Sequence, residues 1–196
     1  MTGLLSLGLL TDTVFGQCSN LQVGDVAPVF QCVDDMGKIW DSRDHVGKRI
    51  IVLYFYPSDF SHCCTQQAER YLDCQSKLAE RGVDAEVLGI SGDPVLAHRL
   101  FKTTHRLNQP LLSDTNGEVA GKFGVPVRRG DGAKSMVKDE KGVQAVDENS
   151  RAITIPRAVT TGRSTFVIGL DGRILYCETN VAPKKDSQEV ITFLSP

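Results

Sequence analysis

The feature that most constrains this chain is an almost unbroken apolar run at residues 49–56, which Pro57 ends. After Arg49, every residue in the run is aliphatic or aromatic. A run without polar alternation is typical of a strand covered on both faces, and proline cannot continue such a strand. The sequence therefore predicts a central strand here, inside a sheet that is packed on both sides.

The rest of the chain alternates between strand-like and helix-like patterns. Besides the central run, strands are predicted at residues 26–33, 38–41, 83–91, 110–112, 164–169 and 173–178. Helices are predicted at residues 62–81, 93–107, 116–123 and 184–194. This alternation, closed by a hairpin and a helix, predicts an α/β fold with a mixed sheet flanked by helices.

The predicted organisation is an N-terminal extension, residues 1–20, and a single domain, residues 21–196. The leucines of the extension resemble a weak signal segment, but no Lys or Arg precedes them, so an ordinary extension is favoured. Residues 127–162 are polar and too long for a simple loop, and we interpret them as an insertion with hairpins near 141–142 and 151–155. Their basic residues are interpreted as solvated surface: Arg128, Arg129, Lys134 and Lys138.

Composition excludes several classes of function. The 196-residue chain has a formal net charge of −2, so no global positive field would attract nucleic acid. Its apolar runs are shorter than the roughly 18 residues that a membrane span needs. The six cysteines are too few for a disulfide scaffold, and none form a C-x-x-C pair.

The chemistry is expected where the central strand leads into a helix, because two adjacent thiols, Cys63 and Cys64, lie there. The first turn of a helix presents unpaired N–H groups and the positive end of the helix dipole. A thiol in that place is stabilised as the nucleophilic thiolate. Pro57 would make the chain leading to the thiol rigid and exclude water from it. The Ser61 hydroxyl can donate a hydrogen bond to the thiolate or to a substrate oxygen.

The spacing Pro57-x3-Ser61-x2-Cys64 resembles the peroxiredoxin signature Pro-x3-Thr/Ser-x2-Cys, with Cys64 at the peroxidatic position. Three further segments agree with that family in the same order: residues 87–93, 112–114 and 163–168. The resemblance covers about residues 21–194 and is closest to the bacterioferritin comigratory protein, or peroxiredoxin Q, branch.

The resemblance implies a thioredoxin-like fold with an N-terminal β-hairpin. It also implies a peroxidase that reduces hydrogen peroxide and organic hydroperoxides through a sulfenic acid at Cys64. On the same ground Arg163 is the guanidinium that stabilises the thiolate and holds the peroxide oxygens. No metal and no bound cofactor are expected.

The implied partners are a hydroperoxide and a thiol reductant, which is thioredoxin, glutaredoxin, glutathione or another thiol. No nucleic acid and no membrane span are expected. A monomer or homodimer in the cytoplasm is predicted, with export as the alternative if the N-terminal leucines act as a signal.

The chain departs from this branch where a resolving cysteine often stands, five residues after Cys64, because that residue is Glu69. The possible resolving or auxiliary thiols nearby in the chain are Cys63 and Cys74, whereas Cys18, Cys32 and Cys177 could approach only through tertiary structure or from another chain. A Cys63–Cys64 disulfide would strain the peptide bond between them. On one continuous helix Cys74 would lie about 15 Å from Cys64, which is too far for a disulfide. We therefore expect an external thiol to complete the cycle.

Two alternatives from other classes are a metal-binding module and a non-catalytic thioredoxin-fold protein, both using His62, Cys63 and Cys64. Consecutive residues rarely converge on one metal ion, which disfavours the first. Asp59 and Phe60 could shape the peroxide entrance, but exposure in a loop is the favoured interpretation. The cysteines in strand patterns, Cys32 and Cys177, are interpreted as core residues.

Overall fold

The computed structural model of the chain describes residues 21–130 and 132–195. The interpretation of residues 1–20 as an extension or signal falls outside these residues. In chain order the elements are β1 (Gln31–Asp34), β2 (Ile39–Asp41), α1 (Ser42–His45), β3 (Ile50–Phe55), α2 (His62–Tyr71), α3 (Cys74–Ala79), β4 (Ala85–Ser91), α4 (Val95–His105), β5 (Leu111–Ser113), α5 (Glu118–Lys122), β6 (Val127–Arg129), β7 (Lys134–Met136), β8 (Thr154–Pro156), β9 (Val159–Thr161), β10 (Ser164–Ile168), β11 (Ile174–Glu178) and α6 (Asp186–Leu194).

The predicted central strand is β3, which lies inside a seven-stranded sheet of order β11-β10-β3-β4-β5-β1-β2. It pairs in parallel with β4 and antiparallel with β10. Residues 51–55 are fully buried because each face of the strand meets its own apolar cluster. Val52 and Tyr54 belong to the cluster that contains α2, whereas Leu53 and Phe55 belong to the opposite one. The predicted mixed α/β sheet and its N-terminal hairpin, β1–β2, are confirmed.

The helix predicted at residues 62–81 is divided into α2 and α3, so the prediction of one continuous helix is wrong. At the break the Leu72 N–H donates to the carbonyl of Glu69, three residues back. The side-chain amide of Asn108 donates to the Leu72 carbonyl at 3.1 Å, which satisfies that group outside a continuing helix. The break lets α3 turn its own apolar residues, Cys74 and Leu78, into the core.

The 127–162 segment folds back on itself as β-structure. β6 pairs with β9, β7 pairs with β8, and bridges join residue 138 to 144 and residue 146 to 152. The turn predicted near residue 142 is present, with Gly142 in the left-handed region at φ +79°.

Two turns of the 127–162 segment, eight residues apart, have the same hydrogen-bond pattern around an aspartate. This repeat was not predicted from the sequence. Asp139 Oδ1 accepts the N–H groups of residues 141 and 143, and Asp147 Oδ1 accepts those of residues 149 and 151. Gln144 lies between the turns and donates its amide to the carbonyls of residues 137, 145 and 153. These bonds hold the three antiparallel passes of the segment together.

The 127–162 segment is anchored to the main sheet at Gly92, just after β4. A Cβ at Gly92 would lie 2.6 Å from Val159 Cγ2 and closer still to the Val159 carbonyl oxygen. No side chain fits there unless β9 moves. Only glycine therefore allows this close approach of two backbones.

Replacing Gly92 with Ala is expected to lower the free energy of unfolding by about 1–3 kcal/mol, because the new methyl group overpacks against backbone. The matched control is Gly121→Ala in α5, where nothing lies within 4 Å of the added Cβ. That variant should be neutral or up to about 1 kcal/mol more stable, through helix propensity. Urea unfolding of both variants makes the comparison, and equal stabilities would contradict the close approach.

Candidate active site

A buried loop carries the chain from the end of β3 into α2. Phe60 takes a left-handed conformation, φ +58°, which is uncommon for a residue other than glycine. Its ring is buried and meets the ring of Phe101 edge-on at 5.2 Å, so packing holds the bend. Ser61, in extended conformation, is the N-cap residue of α2. Cys64 follows in the first turn and is 1% exposed.

Cys64 and Arg163 are 99 residues apart in sequence and in contact in space. Because β10 pairs antiparallel with β3, with Ser164 opposite Phe55, the residue before β10 comes beside the start of α2. Arg163 Nη2 lies 3.2 Å from Cys64 Sγ. A guanidinium is permanently charged, so this contact places a fixed positive charge against the Cys64 sulfur.

Arg163 is held in turn by two buried side chains. Its Nη1 donates to Gln67 Oε1, and Gln67 Nε2 donates to Asp186 Oδ2 at 2.6 Å. We call Arg163, Gln67 and Asp186 the arginine relay. The hydroxyls of Tyr71 and Thr165 also donate to Asp186 Oδ2, each at 2.9 Å. Asp186 Oδ1 is buried with no hydrogen-bond partner among the described residues.

Asp186 is fully buried at the start of α6. Burial raises the pKa of its carboxyl above the ordinary value, although the bonds from Gln67, Tyr71 and Thr165 work in the opposite direction. One oxygen of this carboxyl group accepts three hydrogen bonds and the other accepts none from the described residues. Such a group is costly to ionise in an apolar setting. The relay therefore places a carboxyl group with a raised pKa two side chains away from the thiol.

The sequence analysis missed both Gln67 and Asp186. Gln67 lies one helical turn after Cys64, and that spacing was the available signal. Asp186 carried no signal, because an acidic residue at a helix start ordinarily stabilises the helix dipole from the surface.

A second buried network lies under the loop. Asp59 accepts the Tyr56 hydroxyl at 2.8 Å and lies 2.9 Å from His98 Nδ1, while its own backbone N–H donates to Asp93 at 2.8 Å. Asp59 and Phe60 are 1% and 2% exposed, so the interpretation that they are exposed loop residues is wrong. The loop is buried because Asp59 has charged and polar partners inside the protein.

The His98 ring joins this network to the sheet. Its Nε2 lies 3.2 Å from the Leu112 carbonyl oxygen, which can only accept, so Nε2 carries the hydrogen. Burial is the largest single influence on the pKa of His98 and acts to lower it, but the Asp59 and Asp93 carboxyls and the Leu112 carbonyl together outweigh burial, so the pKa is raised overall. Asp59 and His98 therefore form a proton-sharing pair that fixes the loop from below.

The remaining predicted site residues are two residues of the loop and two further cysteines. Pro57 and Ser61 lie in the loop, and the Ser61 Oγ donates to the Ser58 carbonyl at 3.2 Å. Cys63 is exposed beside Cys64. Cys74 is fully buried on α3, and burial raises the pKa of its thiol to about 12. The distance of about 15 Å between Cys64 and Cys74 was expected for one continuous helix and does not apply across the break. Cys74 is instead disfavoured as a resolving thiol because it is buried and its pKa is raised.

The position five residues after Cys64 is occupied by an acid, Glu69, which contacts a histidine. Glu69 Oε1 lies 3.1 Å from His105 Nδ1, and both residues line a cavity of about 370 Å³. Of the other cysteines, Cys32 is buried with a thiol pKa raised to about 12, mainly by burial, and Cys177 is disulfide-bonded. Burial on β11 agrees with the core interpretation of Cys177, but the disulfide was not anticipated.

In residues 21–130 and 132–195, no group of three His, Cys, Asp or Glu side chains could hold a metal ion. No helix in those same ranges is long and apolar enough to span a membrane.

The sheet and its helices form a thioredoxin-like fold, and the solved structure of peroxidoxin BcpB from Mycobacterium tuberculosis has the same architecture. The two superpose with a TM-score of 0.68 at 26% identity, over 89% of this chain and 97% of that chain. With its thiol at the helix start, the chain is a thiol-dependent peroxidase. Residues 23–177 match the model of the AhpC/TSA family, and the chain belongs to that family.

Relatives from one branch of the family are similar to this chain over most of its length. The chain is 35% identical over 151 residues to peroxiredoxin bcp of Coxiella burnetii, covering 76% of this chain and 98% of that protein. It is 32% identical over 183 residues to the chloroplastic peroxiredoxin Q of Gentiana triflora, covering 93% of this chain and 69% of that protein. The resemblance to the bacterioferritin comigratory protein and peroxiredoxin Q branch is confirmed.

If Asp186 positions Arg163 through Gln67, their substitutions should not act additively. Asp186→Asn and Gln67→Ala should each slow the reaction of the reduced enzyme with hydrogen peroxide by about three- to tenfold, since a typical hydrogen bond contributes about 0.5–1.5 kcal/mol. In the double variant the second substitution should add little. Stopped-flow rates measure this, with Glu118→Gln, at an exposed acid on α5, as the control. Full additivity would contradict the relay.

The raised pKa of Asp186 also predicts a pH dependence of stability. The folded protein binds this proton more tightly than the unfolded chain, so the contribution of the carboxyl to stability is present below about pH 4 and lost as the pH rises through the raised pKa. The free energy of unfolding of the wild type minus that of Asp186→Asn should therefore fall as the pH is raised. Urea titrations between about pH 4 and 8 measure it, and a constant difference would show an ordinarily ionised carboxyl.

Proposed function

We propose that Cys64 is the nucleophile that reduces the hydroperoxide and that Arg163 stabilises both its thiolate and the reacting oxygens. The observation that carries this proposal is the 3.2 Å contact between Arg163 Nη2 and Cys64 Sγ in the first turn of α2. A guanidinium has several N–H donors in one plane, so it can contact the sulfur and a substrate oxygen together. Among the described cysteines, Cys64 has this arrangement and the others do not.

In the proposed reaction the thiolate sulfur attacks the distal peroxide oxygen, and the O–O bond breaks. The leaving oxygen takes the bonding electron pair and a proton, and departs as water from hydrogen peroxide or as an alcohol from an organic hydroperoxide. Cys64 becomes a sulfenic acid, so the sulfur is oxidised by two electrons and the peroxide is reduced. Donors already aimed at the sulfur stabilise the charge that develops on the oxygens without reorganising.

The catalytic cycle is completed by an external thiol. This proposal is supported by the burial and raised pKa of the Cys74 and Cys32 thiols, and by Glu69 at the position after Cys64 where a resolving cysteine is often found. The external thiol condenses with the sulfenic acid, releases water and forms a mixed disulfide, which a second thiol reduces. Thioredoxin, glutaredoxin and glutathione are the candidate reductants. Cys63, exposed beside the site, is the remaining auxiliary thiol.

A metal-binding role for His62, Cys63 and Cys64 fits the contacts less well. The Cys64 sulfur already faces a permanent cation at 3.2 Å, which would repel a metal ion. Cys63 is exposed while Cys64 is buried, so the two adjacent thiols do not face one centre.

Cys64→Ser should abolish peroxide consumption, because a serine hydroxyl is not ionised near neutral pH. The matched control is Cys63→Ser, which removes the neighbouring thiol and should retain activity. Peroxide consumption with an excess of small thiol measures both variants. If Cys64→Ser kept the wild-type rate, the assignment of the nucleophile would be wrong.

Resolution by an external thiol is tested on the same proteins by mass spectrometry. After one equivalent of peroxide without added thiol, the reduced wild type should gain one oxygen at Cys64. A disulfide between Cys64 and Cys63 or Cys74 would contradict the external-thiol cycle and leave the assignment of Cys64 intact.

A further inference from the structure

A cavity of about 390 Å³ opens beside the active-site loop. Loop residues 57–61, which include Pro57 and Ser61, form one wall of the cavity. Cys64 follows this loop in the first turn of α2. The opposite wall is supplied by the 127–162 segment. Its lining residues there are Arg128, Lys134, Met136, Lys138, Arg157 and Thr160.

The cavity is strongly basic although the chain as a whole carries a net charge of −2. The charge of Arg157 is already engaged, because its Nη1 donates to Ser58 Oγ at 2.7 Å and lies 3.8 Å from Asp93. The one acidic residue among the lining residues is Asp59, which is buried and paired with His98.

Three cations of the cavity remain without a carboxylate partner. Arg128 and Lys134 are exposed and Lys138 is half-buried, and none forms an ion pair within residues 21–130 and 132–195. Lys138 also lines the neighbouring cavity near Glu69, together with the two acids that follow it, and Glu140 there lies 3.8 Å from Arg106. Converging unpaired cations at the rim of a cleft raise the local concentration of anions.

The cavity is also lined by apolar side chains from both of its walls. Met136 is 46% exposed, and Phe60 and Pro57 line the same space. A methionine side chain is flexible and adapts to apolar groups of varied shape. A ligand that fits this lining has an apolar body and an anionic end.

We propose that this cavity recognises the carboxylate of anionic organic hydroperoxides, so that the enzyme prefers them to neutral hydroperoxides of the same shape. This inference rests on the proposed reaction of Cys64. The hydroperoxide group lies at Cys64 and Arg163, the apolar body lies along Met136, and the carboxylate lies among Arg128, Lys134 and Lys138. The products are the Cys64 sulfenic acid and a carboxylate-bearing alcohol, so no further reactant is needed.

The preference should be moderate and sensitive to salt. An exposed ion pair changes a binding constant by about 1.5- to 5-fold, so two or three such contacts give a ratio on the order of ten at low ionic strength. Screening shortens the range of these contacts to about 10 Å at 0.1 M salt. The ratio should therefore fall towards one as salt is added.

A matched pair of substrates tests the proposal: cumene hydroperoxide carrying a para-carboxylate, and the methyl ester of the same compound. For each protein, kcat/KM with either substrate is divided by that with hydrogen peroxide. The wild type should favour the acid by about tenfold, and Lys134→Ala/Lys138→Ala should reduce that preference to about twofold or less. The control is Arg129→Ala, which removes an exposed cation of β6 outside the cavity and should keep the wild-type preference.

A wild-type preference near one, or an unchanged preference in the double variant, would overturn the proposal. If the double variant fails to fold, as judged by its melting curve, the salt dependence of the wild-type ratio decides, and a ratio insensitive to salt counts against it. A wild type inactive towards hydrogen peroxide would instead refute the proposed function. The two failures are therefore distinguishable.

Discussion

The contact between the Arg163 guanidinium and the Cys64 sulfur is the interaction on which the site depends, and the central sheet creates it. Arg163 reaches the helix start because β10 pairs antiparallel with β3, and β3 is fixed by apolar packing on both faces. A shift of one residue in that pairing would turn the neighbouring side chains to the other face of the sheet. The register of a buried sheet therefore sets the position of the permanent charge beside the thiol.

Buried polar networks hold both partners of this contact. Gln67 and Asp186 brace Arg163 from behind, whereas Asp59 and His98 brace the loop that delivers Cys64. In a low-dielectric interior such bonds are strong when satisfied and costly when broken. The thiol is consequently presented by a rigid frame, which suits a reaction in which donors must already face the developing charge.

Much of this was visible in the sequence, and the failures have physical causes. The doubly covered strand followed from an apolar run, and Cys64 followed from its place after Pro57. The break between α2 and α3 was missed because Asn108, distant in sequence, takes the carbonyl that a continuous helix would use. The burial of Asp59 was missed because loop position suggests exposure, while its partners come from α4 and from the end of β4.

The sequence by itself determined the central strand, the helix that starts after Ser61 and the reactive thiol in its first turn, because each rests on residues close together in the chain. Arg163 was assigned through resemblance, since spacing alone gives no reason to join residues 99 apart. Only the tertiary structure decided that Gln67 and Asp186 stand behind that arginine and that the 127–162 segment walls a basic cavity beside the loop. These are contacts between distant parts of the chain, and their geometry depends on the whole packed sheet.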